Sequence, residues 1–343
     1  METTLPSLPP GKADDKFVDE LVKLISLIFG IIGVLANGLV LVVILRVRSL
    51  WSITNLYIAN QSLIDLTSSV FLLILKYLPN EADFSGWSNI FGAFLACYFW
   101  ESDYIYWALL TCSTLNLILL TMERYIAVVF PIFYRARVRW KNAVPIAALP
   151  WIISFTFELF WPAVFRFEDE KCIIDYRNNT IKAIIGVGVF LVKYVIPICI
   201  MFFVYWSIWM KIRPQIGASL DGVDNRQPPE NGNQRSRIRL NVLKTLFLVS
   251  VTYIVCWTPN QIIFFRFHLG WPLDFQSAYY FTSVTLAFCN IWINPFIYAF
   301  QYRKFQDGLR RLFTSKINNS RATTVSSIVP LSSQRESLAV HQF

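Results

Sequence analysis

The most prominent feature of the sequence is its division into seven long apolar blocks separated by short polar segments. A helix needs about 20 apolar residues to cross the hydrocarbon core of a bilayer, and every block reaches that length. The blocks run over Leu21–Leu45, Thr54–Leu78, Ile90–Val129, Ala143–Phe165, Ile181–Ile212, Leu240–Phe267 and Phe275–Phe300. The pattern therefore predicts an all-α membrane protein, a bundle of seven transmembrane helices.

A shorter amphipathic segment follows the seventh block. Phe305, Leu309, Leu312 and Phe313 share one face at helical spacing, and basic residues occupy much of the remainder. This favours a helix over 303–313 that lies on the membrane surface and contacts anionic lipids. The predicted organisation is then an extracellular tail over 1–20, the bundle over 21–302, this helix, and a disordered Ser/Thr-rich tail over 314–343.

Composition and charge distribution agree with a membrane protein. The chain is 55% hydrophobic and 15% charged, whereas soluble domains carry about 25% charged residues. The net charge of +9 does not indicate a nucleic-acid partner, because the basic residues lie in short gaps between apolar blocks. The N-terminus lacks the basic-then-apolar pattern of a cleavable signal peptide.

The distribution of Lys and Arg predicts the orientation. The gaps after the first, third and fifth blocks and the C-terminal tail, counted with the adjoining block ends, hold 20 Lys and Arg residues, against 8 on the other side. Because cytoplasmic loops are enriched in basic residues, we expect an extracellular N-terminus and a cytoplasmic C-terminus in the plasma membrane.

One carboxylate, Asp65, lies at the centre of the second block. Polar residues elsewhere in the blocks offer hydroxyl and amide oxygens to it; they are Asn37, Ser113, Asn116, Asn290 and Asn294. Such a set suits a small hard cation. The alternative is a hydrogen-bonded network around a protonated Asp65.

Two cysteines and a glycosylation signal fall on the extracellular side of this topology. Cys97 and Cys172 lie near block ends, where an oxidising compartment permits a disulfide. Asn178-Asn179-Thr180 has the pattern of an N-glycosylation site in the same loop as Cys172.

Short motifs recur in the blocks in a fixed order. From the N-terminus they are Gly33–Asn37, Leu56–Asp65, Trp87 with Phe91 and Gly92, Glu123-Arg124-Tyr125 with Pro131, Trp151, Pro197 with Tyr205, Cys256-Trp257-Thr258-Pro259, and Asn294-Pro295-Phe296-Ile297-Tyr298 with Phe305. With these motifs the sequence resembles the rhodopsin-family (class A) G-protein-coupled receptors over about Ile31–Phe313.

The resemblance implies a receptor that binds an extracellular ligand and activates heterotrimeric G proteins. Arg124, between Glu123 and Tyr125, is then the contact for the G protein, and Tyr205 and Tyr298 move toward it in the active state. The switch further includes Trp257 beneath the ligand, Pro259, Asn294 and Pro295. Arrestin is expected to bind the Ser/Thr-rich tail.

The resemblance also assigns roles to the polar and cysteine residues. It makes Asp65, Ser113, Asn290 and Asn294 a sodium site, with sodium as an allosteric ligand and no other cofactor. It makes Cys97 and Cys172 a disulfide.

The third block departs from the family pattern. Cys97 and Arg124 are 27 positions apart, two more than is usual, which predicts a bulge or an extra half-turn near the outer end of this block. The position where amine receptors of the family carry an Asp is Tyr106 when counted from Arg124 and Tyr104 when counted from Cys97. Neither is acidic, although Asp103 is adjacent.

The candidate ligand pocket comprises Asp103, Tyr104, Tyr106, Glu158, Lys193, Trp257, Asn260, Gln261, Phe264 and Tyr280. Lys193 either pairs with Glu158 across the bundle or holds an acidic group of the ligand. The acidic loop over 168–170 favours attraction of a basic peptide. We therefore expect a peptide ligand and a neuropeptide-receptor-like protein; the alternative within this fold is a small amine or lipid ligand.

Other classes fit the sequence less well. A transporter or channel is the alternative membrane function, but transporters often show internal repeats, and no repeat is evident in the sequence. An enzyme is not expected, because the sequence has two histidines and no HExxH or GxSxG motif. The seventh block has no lysine over 285–289 to hold retinal, so a light sensor is not expected either.

Overall fold

The computed structural model describes residues 12–77, 96–168, 171–220, 230–274 and 277–312. Seven of its helices are long and apolar enough to cross a membrane, which confirms the predicted fold class. We call them the first to seventh spans; they are Glu20–Arg46, Ile53–Leu75, Ala96–Val129, Trp140–Val164, Asn179–Arg213, Asn241–His268 and Ala278–Gln301.

Several sequence predictions concern residues outside the described ranges. They are the tail over 1–11, the motif of Trp87, Phe91 and Gly92, the acidic Asp169 and Glu170, Phe313, and the tail over 314–343.

The helices of four spans are continuous, and two of them extend beyond the apolar blocks. Their bounds are Lys12–Arg46, Ile53–Tyr77, Glu230–His268 and Ala278–Gln301. The first begins inside the segment predicted as a tail, because no Pro or Gly interrupts the sequence between Lys12 and Phe29. A short helix over Pro131–Arg137 and a 3₁₀ turn over Arg48–Leu50 connect spans.

The third, fourth and fifth spans change helix type along their length. The third starts with π-helical Ala96–Glu101, passes Asp103 at a left-handed φ of 52°, and continues as the α-helix Tyr104–Val129. The fourth runs over Trp140–Phe157 and tightens into 3₁₀ turns. The fifth contains a π-turn, Leu191–Val195, between the α-helices Asn179–Phe190 and Ile196–Leu220. The break in the third span is the predicted local bulge.

Two prolines within spans leave carbonyl groups that another span satisfies. A proline lacks an N–H, so the carbonyl four residues earlier loses its helical partner. For Pro197 that carbonyl belongs to Lys193, and the hydroxyl of Tyr253 donates to it at 2.5 Å. For Pro295 it belongs to Ile291, and Nδ2 of Asn37 donates to it at 2.8 Å. These bonds connect the fifth span to the sixth and the first to the seventh.

A two-stranded hairpin covers one end of the bundle, which we call the hairpin end. Strands β1 (Phe165–Glu168) and β2 (Lys171–Ile174) are antiparallel, with Phe167 opposite Cys172. Cys172 forms a disulfide with Cys97 at the start of the third span, with their Cα atoms 5.5 Å apart. The hairpin is therefore fastened to the third span.

A helix over 303–312 follows the seventh span at the opposite end, which we call the Arg124 end. Phe305 is buried in the main apolar core. Gln306 Nε2 donates to the carbonyls of Ala299 and Phe300 at 2.9 and 3.0 Å, which satisfies two terminal carbonyls of the seventh span. The backbone N–H of Arg303 donates to Oδ1 of Asn241 on the sixth span at 3.1 Å.

The fifth and sixth spans approach each other closely at the hairpin end. A Cβ atom added to Gly186 would lie 2.0 Å from Cβ of His268, whereas one added to Gly188 would meet nothing within 4 Å. The hydroxyl oxygen of Tyr176, just after the hairpin, lies 3.2 Å from Nε2 of His268. Burial raises the pKa of Tyr176 to about 12, so this phenol stays protonated at neutral pH.

This contact generates a prediction about packing. Gly186→Ala forces the two spans apart, and overpacking of this kind costs about 1–3 kcal/mol. We expect a lower thermal unfolding temperature of the purified protein, measured by tryptophan fluorescence. Gly188→Ala is the matched control, because Ala replaces Gly in the same helix without a clash. Equal unfolding temperatures for the two variants would contradict the close approach.

Candidate ligand pocket and signalling site

A cavity lies among the spans at the hairpin end. Its empty volume is about 360 Å³. The lining residues come from the third to sixth spans and are Trp107, Glu158, Phe160, Trp161, Val189, Lys193, Asn260, Gln261 and Phe264. The structure thus brings five of the predicted pocket residues to one cavity: Glu158, Lys193, Asn260, Gln261 and Phe264.

Two buried charges face each other in this cavity. Nζ of Lys193 lies 2.7 Å from Oε1 of Glu158, and the hydroxyl of Thr111 donates to the same oxygen. The Lys193 ammonium also lies 5.2 Å from the centre of the Trp107 ring. Glu158 begins the 3₁₀ turn of the fourth span, and Lys193 lies in the π-turn of the fifth. Of the two alternatives for Lys193, the structure contains the ion pair with Glu158.

The other predicted pocket residues do not line the cavity. The Tyr104 hydroxyl donates to the carbonyl of Phe155 at 2.7 Å, and the Tyr106 ring packs on Phe288, 5.5 Å away between centres. Trp257 is buried beside Tyr253. The remaining two are Asp103, in the left-handed break, and Tyr280, in the first turn of the seventh span.

The cavity residue of the third span is Trp107, which the sequence analysis missed. Counting from either fixed point gave Tyr104 or Tyr106, because the π-helical segment and the break at Asp103 change the register between Cys97 and Arg124. Phe160, Trp161 and Val189 were missed as well. The aromatic pair Phe160-Trp161 just after Glu158 was the available signal.

Asp65 contacts two of its predicted partners in the centre of the bundle, whereas Asn37 and Asn116 hydrogen-bond to other groups. The fully buried carboxylate accepts hydrogen bonds from Oγ of Ser113 at 2.9 Å and Nδ2 of Asn294 at 3.0 Å. Gln61, one helical turn earlier and not predicted, donates to both carboxylate oxygens, at 3.1 and 3.2 Å. Oδ1 of Asn290 and Oδ1 of Asn294 are buried without a hydrogen-bond partner in the described part of the chain.

The oxygen atoms around Asp65 are suited to a small hard cation. One carboxylate, one hydroxyl and two unpartnered amide oxygens are oxygen ligands of the kind that such cations take. A buried cation would also supply the positive charge that a buried ionised carboxylate needs. The residues of the site are thus chemically suited to sodium.

Glu123 and Arg124 form a compact polar cluster at the opposite end of the third span. Nε of Arg124 lies 2.5 Å from Oε2 of Glu123, and its guanidinium also donates to Thr54 on the second span. The hydroxyl of Tyr134 donates to Glu123. Burial and the charge of Glu123 raise the pKa of Tyr134, so the phenol remains a donor at neutral pH.

A second cavity opens beside Arg124. Its empty volume is about 600 Å³, and its lining residues are Arg124, Ala127, Val128, Pro131, Tyr134, Arg135 and Leu243. The guanidinium of Arg124 is thus next to an open space at this end of the bundle.

The remaining predicted switch residues lie between the two cavities or beside the second. The Tyr205 hydroxyl lies 3.2 Å from Oγ of Ser250, and the Tyr298 hydroxyl is buried without a partner in the described residues. The Tyr125 ring packs against Phe130 and Phe203. Pro259 and Pro295 lie within the helices of the sixth and seventh spans.

The predicted glycosylation residue, Asn178, is exposed at the hairpin end. Its Oδ1 accepts the N–H of Ile181 at 2.8 Å and caps the fifth span. Its position leaves it accessible from the solvent.

Comparison with known proteins identifies the family. The family model of the seven-transmembrane receptor (rhodopsin family) matches residues 36–298. Galanin receptor 2b of Danio rerio is 26% identical over 305 residues, covering 84% of this chain and 73% of that protein. The allatostatin-A receptor of Bombyx mori is 24% identical over 322 residues, covering 88% and 82%. Neuromedin-U receptor 2 of Mus musculus is 24% identical over 306 residues, covering 84% and 73%.

The matched region begins within the first span and ends within the seventh, so it includes both cavities and the site around Asp65. The chain therefore belongs to the rhodopsin family of seven-transmembrane, G-protein-coupled receptors, which are receptors and not enzymes.

Proposed function

We propose that this protein is a plasma-membrane receptor for an extracellular peptide, with its hairpin end outside the cell and its Arg124 end in the cytoplasm. The ligand class is inferred from the similar proteins, which are receptors for galanin, allatostatin-A and neuromedin-U, all of them peptides. The distribution of basic residues supports the orientation.

The cavity at the hairpin end is the proposed ligand site. This cavity lies between the spans at the end covered by the hairpin, so a peptide side chain would enter it while the remainder of the peptide contacts the hairpin. The Lys193 carbonyl accepts from Tyr253, whose ring lies 6.3 Å from Trp257. This contact connects the cavity to the buried part of the sixth span.

The cluster at Arg124 is the proposed contact for the heterotrimeric G protein. In this arrangement Glu123 and Thr54 hold the guanidinium. A peptide that binds more tightly to an arrangement with the second cavity opened raises the population of that arrangement, through its differential affinity alone. The G protein then meets a guanidinium that has left Glu123, and Tyr205 and Tyr298 supply hydroxyls beside it.

Sodium is the proposed ligand of the site at Asp65. Asp65, Ser113, Asn290 and Asn294 would hold it, and the ion would supply a positive charge to the buried carboxylate. These residues lie on the second, third and seventh spans. A bound ion would therefore stabilise the arrangement seen here, in which the three spans are in contact at Asp65.

Three further assignments belong to this proposal. Arrestin binds the Ser/Thr-rich segment over 314–343, and Asn178 carries an N-linked glycan. The helix over 303–312 lies on the inner leaflet, where Arg303, Lys304 and Arg310 face anionic lipid headgroups.

The first prediction of this proposal concerns signalling. A peptide that activates the wild-type receptor, found by screening a peptide library on cells, stimulates nucleotide exchange on a G protein in membranes. Arg124→Ala removes this stimulated exchange, because the guanidinium contact is lost, while surface expression persists. Lys141→Ala, which changes an exposed basic residue near the same end, is the matched control and retains exchange. Full exchange by Arg124→Ala would refute the assigned role.

The second prediction concerns sodium. The purified receptor unfolds at a higher temperature in sodium chloride than in choline chloride, because a ligand of the folded state stabilises it by mass action. Asp65→Asn abolishes this difference, since the carboxylate is the one charged ligand. Asp307→Asn makes the same substitution at an exposed position of the 303–312 helix and keeps the difference. A sodium effect unchanged in Asp65→Asn would exclude the site.

The third prediction tests orientation. Receptor from human cells carries a glycan that peptide N-glycosidase F removes, and Asn178→Gln and Thr180→Ala each abolish the resulting shift in gel mobility. Thr180→Ala keeps the Asn178 side chain and its helix cap, so it separates glycosylation from folding. Glycosylation that persists in both variants would place the glycan elsewhere.

A further inference from the structure

Two buried carboxamides line the ligand cavity without a hydrogen-bond partner among the residues that the structure describes. Asn260 and Gln261 are 7% and 3% exposed, and both line the cavity. Oε1 of Gln261 has no hydrogen-bond partner in the described part of the chain, and no contact of that kind is found there for Asn260. The unsatisfied oxygen of Gln261 is costly, and both carboxamides can exchange hydrogen bonds with a ligand that supplies donors and acceptors.

The charges in the same cavity cancel. Glu158 and Lys193 are the charged residues of its lining, they are 1% and 7% exposed, and they pair at 2.7 Å. Thr111 adds a hydrogen bond to Glu158. A ligand group with a single charge therefore meets no free counter-charge in the lining, and its transfer from water is unfavourable.

The walls of the cavity are aromatic. Four rings line it, from Trp107, Phe160, Trp161 and Phe264. These rings offer apolar faces to an aromatic side chain.

We propose that the cavity binds one uncharged aromatic residue of the peptide, whose flanking amide groups hydrogen-bond to Asn260 and Gln261. A peptide group offers one N–H and one C=O, which match the C=O and N–H₂ of a carboxamide. The paired Lys193 and Glu158 exclude an aromatic residue that carries a free ammonium or carboxylate. This inference rests on the peptide ligand proposed above and defines which part of the peptide enters the cavity.

Three compounds on one indole scaffold test the charge preference. They are N-acetyltryptophanamide, which is neutral, tryptophanamide, which is a cation, and N-acetyltryptophan, which is an anion. Binding to the purified full-length receptor in lipid nanodiscs is titrated by saturation-transfer NMR at about pH 6, below the α-amino pKa of about 7.7. We expect the neutral compound to bind at least about tenfold more tightly than either charged one.

Single substitutions in the ion pair invert this preference. Lys193→Met leaves an uncompensated Glu158 and favours the cation, whereas Glu158→Gln leaves Lys193 and favours the anion. The double variant, Lys193→Met with Glu158→Gln, has no buried charge to destabilise it and keeps the preference for the neutral compound. If a single variant does not fold, the double variant and the wild type still test the charge rule.

Substitutions of the amides test the hydrogen bonds. Asn260→Leu and Gln261→Leu each weaken binding of N-acetyltryptophanamide by about 3–10-fold, the size of one or two hydrogen bonds. Asn179→Leu removes an exposed carboxamide from the fifth span and leaves binding unchanged.

Equal binding of all three compounds to the wild type would overturn the inference. A folded receptor that binds none of the three compounds would also overturn it, as would full affinity for N-acetyltryptophanamide in both amide variants. These measurements need no signalling, so their failure is distinct from failure of the proposed function. A receptor that no peptide activates, but that selects the neutral compound, would refute the peptide function and retain the cavity's chemistry.

Discussion

A bilayer offers no hydrogen bonds to the polar groups of a spanning helix, and this constraint accounts for most of the interior of the protein. The carbonyls freed by Pro197 and Pro295 find donors on other spans, from Tyr253 and Asn37. The buried Glu158 finds Lys193 and Thr111. Each of these contacts also joins two spans, so satisfying the polar groups and assembling the bundle are the same process.

Several exceptions to this rule lie at the proposed sites, although others, such as Ser62 and Trp292, do not. In the described residues, buried polar atoms without partners include amide oxygens of Gln261, Asn290 and Asn294 and the hydroxyl of Tyr298. They occur at the ligand cavity, at the Asp65 site and between that site and Arg124. Unsatisfied buried groups are destabilising, so their presence at these places is a physical reason to propose ligand binding and conformational change there.

The sequence predicts the spans well because each is a block of about 20 or more mostly apolar residues. The ordered motifs make the family recognisable. The resemblance implies the disulfide, and the scarcity of partners for a buried charge makes the Lys193–Glu158 pair one of two alternatives. The sequence does not predict Trp107, because the π-helical Ala96–Glu101 and the left-handed Asp103 change the register by amounts that counting does not reveal. It also misses Gln61 and the hairpin, whose short strands carry little pattern.

The hydrogen bond from Arg303 to Asn241 has a mechanical consequence. It joins the first backbone amide of the 303–312 helix to the sixth span. An outward displacement of that span must therefore break this hydrogen bond and expose the amide to water or lipid headgroups. The anchorage of the surface helix, and of the segment that continues from it, therefore varies with the arrangement of the bundle. Any molecule that binds this helix is thus coupled to the arrangement of the spans.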